Sequence, residues 1–275
     1  MQSGTGPLLT SGLALELEHA RRARADTLSA SFDLGRSVVT VRLGAEDWAF
    51  GTARFPYPGT LKERTVYAWL DGAFTAVSRY GRSLVKLVPT DWGPPTFEID
   101  GIKMLPTARL SPVEDARAKV ALVRPAGRRL LDTCGGLGYF AAEALAAGVG
   151  SVLSFEANPD VIWLRRLNPW SPPEGGALEL RLGDVAAAIA TLPDGAFEAA
   201  LHDPPRFGIA GDLYSAHFYG ELRRVLCRGA RLFHYTGTPN RLTSGRDVPG
   251  EVLKRLTAAG FSAERALDGV LAVRR

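Results

Sequence analysis

Three stretches of this 275-residue chain place residue types at spacings that suit chemistry on a nucleoside-bearing ligand. The first is Leu131-Asp132-Thr133-Cys134-Gly135-Gly136-Leu137-Gly138-Tyr139-Phe140-Ala141, a short apolar strand that opens into glycines and continues as a helix. Glycines let backbone approach a ligand closely, and a helix start presents free N–H groups. Glu156 follows Gly136 by 20 residues, at the end of a second apolar strand, where a carboxylate can accept both hydroxyls of a ribose. A glycine loop alone says little, since a tight turn with close helix–sheet packing needs the same residues. The order strand, loop, helix, strand, acid makes it specific. The second stretch, Leu182-Gly183-Asp184, ends a third strand. Its carboxylate can accept from an adenine amino group, cap the helix beginning at Val185, or do both.

The third stretch is Phe197-Glu198-Ala199-Ala200-Leu201-His202-Asp203-Pro204-Pro205-Arg206-Phe207. Consecutive prolines are stiff and lack N–H groups, so the loop presents carbonyl oxygens. Asp203 and the Pro204 carbonyl can together accept from a planar amino nitrogen and aim its lone pair at an electrophile. Without a ligand, the same run is a proline-rich turn capped by Asp203.

Gly136-x-Gly138-x-x-Ala141 also satisfies the dinucleotide fingerprint. Asp132 argues for another ligand. It lies four residues before Gly136, where a pyrophosphate needs neutral or positive surroundings, and its carboxylate suits the cationic amino acid end of S-adenosylmethionine. On this reading Asp132, Cys134, Gly136, Gly138, Glu156 and Asp184 hold S-adenosylmethionine, with Asp203 at the edge of its site. Asp203, Pro204 and Arg206 orient the acceptor, and methyl transfer from a sulfonium needs little beyond alignment. His202, Phe207 and His234 face the acceptor, the two histidines from neighbouring strands. The histidines show no metal-ligand spacing, and satisfied core or rim positions are the competing reading. Asn168-Pro169-Trp170 offers an aromatic wall or a helix stop with a core indole, and Arg246 reads as part of a solvated turn.

Positioning these groups falls to residues 111–275. Ser111-Pro112-Val113-Glu114 is a helix start with a capping box. Strands are predicted over 129–132, 151–156, 178–182, 197–202 and 231–235. Helices are predicted over 140–147, 160–167, 213–227 and 251–259, and two closing strands over 261–266 and 270–274. Strand and helix in alternation imply an open α/β sheet whose ligands bind at the carboxyl ends of its strands. Residues 1–110 have another texture. From Thr27 to Leu105, short apolar runs (38–43, 65–69, 74–78, 83–88) are separated by turn signals, including Asp71-Gly72. A last strand pair turns at Asp100-Gly101, and the whole reads as an antiparallel meander. The chain is therefore divided into a β-rich domain, 1–110, and a ligand-binding domain, 111–275.

Composition narrows the classes. The chain is 46% hydrophobic and 23% charged, which excludes wholesale disorder. No apolar run reaches the length of a membrane span, and the N-terminal order of apolar before basic residues is not that of a secretory signal. Two distant cysteines, Cys134 and Cys227, fit a reduced, cytoplasmic protein and exclude a disulfide scaffold. The formal charge of +4 is spread evenly, with 13 Lys+Arg against 11 Asp+Glu over 1–110 and 20 against 18 over the rest. The basic balance permits nucleic-acid binding without arguing for it.

The motifs at the first, second and fourth strands together resemble class I S-adenosylmethionine-dependent methyltransferases, whose fold is a Rossmann-like seven-stranded sheet. Asp203-Pro204-Pro205 resembles the Asp/Asn-Pro-Pro-aromatic motif of amino-group nucleic-acid methyltransferases. More closely, Asp132-Thr133-Cys134 with Gly136-Leu137-Gly138-Tyr139, Asn168-Pro169-Trp170, His202 to Phe207 and Leu232 to Gly237 are similar to a prokaryotic, largely archaeal group of predicted methyltransferases. Pro89-Thr90 and Phe97 to Met104 extend that similarity into the N-terminal region. Two departures stand out: Cys134 replaces the first glycine of the usual loop, and Arg206 stands where the aromatic is expected, with Phe207 next. Asp-Pro-Pro-Arg also occurs in RNA uridine C5-methyltransferases, but their nucleophilic cysteine falls where this chain has Thr236-Gly237, which disfavours covalent chemistry. The resemblance implies N-methylation, with RNA (tRNA or rRNA) as the first acceptor and residues 1–110 as added grip on it. The competing readings are a small-molecule methyltransferase, a polyamine-synthase-like aminopropyltransferase, a nicotinamide-dependent oxidoreductase and a cofactor-binding module without catalysis.

Overall fold

In the computed structural model, which describes residues 6–105, 107–205, 210–237 and 247–275, the alternating segment after Leu110 builds one seven-stranded sheet. Its strands are β1 (Arg129–Asp132), β2 (Ser151–Glu156), β3 (Leu178–Leu182), β4 (Phe197–His202), β5 (Leu226–Tyr235), β6 (Phe261–Ala266) and β7 (Gly269–Arg274). They lie in the order β3-β2-β1-β4-β5-β7-β6. The first five are parallel, and β7 runs antiparallel to both β5 and β6. The helices of this unit are α1 (Pro112–Val123), α2 (Tyr139–Ala146), α3 (Pro159–Leu167), α4 (Val185–Ala188), α5 (Ala216–Val225) and α6 (Val248–Ala258). The central strands are apolar almost throughout because both faces are covered: β4 buries five of its six residues, with only Glu198 partly open. The result is a mixed α/β sheet of Rossmann-like form.

Local chemistry sets the element ends. Glu114 and Asp115 fill the first turn of α1, where carboxylates oppose the helix dipole favourably. The Asn158 side chain accepts from Asp160 N–H at 2.9 Å at the start of α3, and Ser215 accepts from Phe218 N–H at 3.1 Å to cap α5. That serine cap corrects the expected single helix over 213–227. A 3₁₀ turn, Gly211–Tyr214, precedes α5, and the chain is already extended at Leu226. Cys227 therefore belongs to β5. The pairing of β5 with β4 passes from Phe197↔Leu226 to Ala199↔Arg231, so residues 227–230 bulge out, with Gly229 at φ 76°. The regular ladder covers Arg231 to His234, within the stretch the sequence marked as strand.

The chain divides into two compact units, Met1–Pro112 with Trp163–Trp170, and Val113–Ile162 with Ser171–Arg275. The first contains two four-stranded antiparallel meanders and a three-stranded sheet. Thr27–Ala30, Val39–Leu43, Asp47–Phe50 and Ala53–Pro56 form one meander; Ser78–Tyr80, Leu84–Val88, Thr96–Ile99 and Ile102–Lys103 form the other. Asp71-Gly72 and Asp100-Gly101 turn with positive φ at both residues, as two-residue hairpins require. A helix that the sequence reading did not anticipate, Ser11–Arg22, is capped by the Thr10 hydroxyl and buries Leu13, Ala14, Leu17 and Ala20. The core of this unit is aromatic: Trp48 is fully buried, stacks on Phe32 at 4.9 Å and donates from Nε1 to the Pro56 carbonyl. Trp170 also belongs here, its indole N–H donating to the Leu34 carbonyl at 2.9 Å. Among the described residues no helix is long and apolar enough to cross a membrane.

Gly269 opens β7 directly against β5, and a Cβ there would overlap the His234 carbonyl. We expect Gly269→Ala to lower the urea-unfolding free energy by about 1–3 kcal/mol, the usual cost of forcing atoms into filled space.

Candidate active site

The carboxyl ends of β1, β2 and β4 bring the glycine loop, Glu156 and Asp203 to one edge of the sheet. Register fixes this: Asp132 lies beside Ser154 of β2 and Leu201 of β4. The loop between β1 and α2 is closed by Gly135 N–H donating to the Phe155 carbonyl and Gly138 N–H to the Gly135 carbonyl, both at 2.7 Å. Gly136 and Gly138 have φ of 49° and 83°, a backbone that side chains rarely adopt. Gly138 is the N-cap of α2 and supplies no side-chain cap.

Glu156 is tied to the loop. One carboxylate oxygen accepts from Gly136 N–H and the other from Asn158 N–H, each at 2.9 Å. The residue is only partly buried, and a carboxylate oxygen can accept more than one hydrogen bond. Asp184 caps α4 through a 2.8 Å bond from Ala186 N–H and is exposed beside Gly183, whose N–H donates to the Glu156 carbonyl. Asp132 is fully buried at the end of β1, where Ser154 Oγ donates to its carboxylate at 2.8 Å. Cys134 lies partly buried against the core, and burial pushes its thiol well above the usual range. It lines the loop as a small side chain with no nucleophilic character. The glycine cradle at the start of α2 and the carboxylates at the ends of β1 and β2 fit an adenosyl group with a cationic tail.

Asp203 follows β4, partly open, and Pro204 after it is buried. Burial raises the Asp203 carboxyl to about 7, against the attraction of Lys119 and with the added repulsion of Asp115, Asp268 and Asp132. Among the described residues no hydrogen bond engages this carboxyl. The Pro205 carbonyl accepts from the Tyr214 hydroxyl at 3.2 Å, which fixes the turn. Arg206, Phe207 and Arg246 lie outside the described residues.

His202 and His234 are brought together, but inside the protein rather than on a floor open to ligand. Both are fully buried, with ring centroids 4.3 Å apart. The Leu213 carbonyl can only accept, so His202 Nε2 carries the proton and Nδ1 accepts from the Thr133 hydroxyl at 2.7 Å. His234 likewise donates from Nδ1 to the Tyr235 carbonyl and accepts at Nε2 from the Tyr219 hydroxyl at 2.9 Å. Burial depresses the His202 ring to about 4 and that of His234 well below its ordinary value. Both rings are therefore neutral structural pieces, the competing reading of the sequence. Tyr214 and Tyr219 pack in the core of the sheet unit.

Sequence reasoning missed Lys119, Asp115 and Asp268. Lys119 is 1% exposed, with its ammonium 2.7 Å from Asp115 and 3.2 Å from Asp268. Asp115 and Lys119 are spaced four apart on α1, which reads as an ordinary surface pair. Nothing local announces that Asp268, in the β6–β7 turn, completes the group. Among the described residues no cluster of three or more His, Cys, Asp or Glu is arranged to hold a metal ion.

A ring that is neutral when folded and charged when unfolded favours unfolding as pH falls. For His202 this loss runs from about 6.5 down to about 4. His202→Phe should cost about 1–3 kcal/mol at pH 7, because the Thr133 hydroxyl and Leu213 carbonyl lose their partner. The same variant should lose less stability than the parent between pH 7 and pH 4, measured by urea titration.

Comparison with known proteins gives the chain its relatives. No protein-family model matches it. Among solved structures, a spermidine synthase in complex with the transition state analogue AdoDATO aligns with a TM-score of 0.58 at 16% identity, over 72% of this chain and 73% of that one. A spermidine synthase from Thermotoga maritima aligns with a TM-score of 0.56 at 15% identity, over 72% of each. At these identities the likeness shows a shared fold. The uncharacterized protein MJ1233 of Methanocaldococcus jannaschii is 42% identical over 213 residues, which cover 77% of this chain and 73% of the relative. On that likeness, the chain belongs to the same family as the Methanocaldococcus jannaschii protein.

Proposed function

We propose that the protein is an S-adenosylmethionine-dependent methyltransferase acting on nitrogen, with a base of tRNA or rRNA as its first acceptor. The observation that carries this reading is Asp203: a partly open residue whose carboxyl burial raises to about 7, at the same sheet edge as the glycine cradle and Glu156. When bound, S-adenosylmethionine supplies an electrophilic methyl carbon on a positively charged sulfur. Gly136, Gly138 and the start of α2 would cradle its backbone-facing atoms, Glu156 its ribose, Asp184 its adenine and Asp132 its cationic tail.

The protein's own work is then orientation and proton transfer. Asp203 and the Pro204 carbonyl accept from the acceptor's amino group, and turn its lone pair toward the cofactor side of the edge. Asp203 would take the proton that the nitrogen must shed when the methyl group passes to it from sulfur. A carboxyl near 7 suits that task, since its conjugate acid is neither too strong nor too weak at neutral pH. An exposed carboxylate would be a poorer base by about three orders of magnitude in proton affinity. The RNA assignment rests on the Asp-Pro-Pro motif, which suits an amino group turned out of its stack. Under this reading Met1–Pro112 adds grip on the polymer.

A second reading has its own support in the two spermidine synthase folds. The same edge would then transfer an aminopropyl group from decarboxylated cofactor to an amine. Calorimetry separates these readings: the methyltransferase binds S-adenosylhomocysteine, and the aminopropyltransferase prefers decarboxylated S-adenosylmethionine. Binding of NADH in place of either would overturn both. Asp203→Ala should retain cofactor affinity within about threefold while transfer falls by about 10²–10⁴, the usual worth of a proton acceptor. The assay is the nucleoside profile, by mass spectrometry, of RNA from cells carrying the parent, the variant or a deletion. One methylated nucleoside should be lost with the variant and the deletion, and a profile unaltered by deletion would refute RNA as the acceptor.

A further inference from the structure

A lysine ammonium is costly to bury, and it remains charged only where carboxylates surround it. Lys119 meets that condition with more acid than neutrality requires. Asp115, one turn earlier on α1, and Asp268, in the β6–β7 turn, hold its Nζ directly, and the Tyr235 ring lies beneath it at 4.4 Å. Burial opposes its charge, yet the attraction of Asp203, the largest of its charge partners, with that of Asp115 and Asp268, holds the ammonium above its ordinary range. Two carboxylates already exceed one lysine's charge. All three carboxylates are partly open, and Asp203 is the one that follows β4 at the sheet edge shared with the glycine loop.

We infer that Lys119 is a positioning residue of the active site: clamped between Asp115 and Asp268, its ammonium sets the charge state of Asp203, the carboxyl that receives the acceptor's proton. The inference rests on the proposed role of Asp203, and extends it to a helix that supplies no residue to the cofactor loop. His202 pairs with His234 across β4 and β5, so Asp203 and Tyr235 are the next residues of neighbouring strands, and the Lys119 ammonium lies 4.4 Å from the Tyr235 ring. Lys119 and Asp115 from α1, Asp268 from the β6–β7 turn and Asp132 from the end of β1 act on the Asp203 charge, which in turn acts on Cys134, Tyr214 and Tyr235. The thiol and the two phenols are raised by burial and stay neutral at physiological pH. Among the described residues, the largest charges acting on Asp203 are therefore three carboxyl groups against one ammonium. Without the ammonium, Asp203 would remain protonated through neutrality and accept no proton. Without one of the surrounding carboxylates, it would ionise too readily to hold one.

A buried ion pair that only fastens α1 to the β6–β7 turn makes no such demand, and the sign of two charge changes separates the cases. In protein labelled with ¹³C at the aspartate carboxyl carbons, the Asp203 resonance is assigned by its absence in Asp203→Asn, and followed as pH is varied. Lys119→Met should move its midpoint up by about 1–3 pH units, the usual effect of one close charge. Asp268→Asn, which removes a negative neighbour and frees Lys119 toward Asp203, should move it down. If Lys119→Met does not fold, Lys119→Gln keeps a donor for Asp115 and Asp268, removes the same charge, and should give the same upward shift. A midpoint that stays fixed, or that falls in both charge variants toward the ordinary carboxyl range, would overturn the inference. The resonance is read without cofactor or acceptor, so this outcome stands apart from the S-adenosylhomocysteine and RNA tests of the proposed function.

Discussion

The pairing of β1 with β2 on one side and β4 on the other is the constraint on which the site depends. Chain order reverses at β1, so the connections from β1 and from β4 leave the sheet in opposite directions and open a crevice at their carboxyl ends. The β1 connection is the glycine loop. The β4 connection is the Asp203-Pro204-Pro205 turn. Neither motif needs a neighbour in sequence; the two meet because the strands before them are adjacent and in register.

Charge at that edge is organised around burial. Asp132 is sealed with a serine hydroxyl, and Asp115 and Asp268 are spent on Lys119. Glu156 is held by two backbone N–H groups. Asp203, also partly open, is engaged by no hydrogen bond or ion pair among the described residues, and desolvation raises it. The surplus of carboxyl over ammonium makes the edge hospitable to a cation and inhospitable to a pyrophosphate.

The parts of this protein legible in its sequence are those whose signals are local. Glycines between Asp132 and Tyr139, the acid ending β2, and paired prolines after β4 each announce themselves within a dozen residues. Asp71-Gly72 and Asp100-Gly101 did so for the hairpins. Lys119 did not, because its partners lie 4 and 149 positions away and only the fold unites them. The end of α5 was misread because Leu226 and Cys227 continue an apolar pattern that suits a helix or a buried strand equally. The helix Ser11–Arg22 carried a legible signal, Thr10 before apolar residues at 13, 14, 17 and 20, but those positions were weighed only as a possible leader. The histidines show the opposite limit. Their clustering was visible, whereas their neutrality follows from desolvation that only packing reveals.

The bond between Thr133 and His202 has a mechanical corollary. Thr133 stands just before the glycine loop and His202 just before Asp203, and their side chains meet at 2.7 Å while Thr133 N–H also donates to the Leu201 carbonyl. The two walls of the crevice are thus riveted together at the root, behind any ligand. A bulky guest cannot pry them apart without tearing a fully interior joint, so the gap behaves as a fixed-jaw caliper. Whatever latitude the crevice allows in the size of its guests must be set above the rivet, by the loops at the rim.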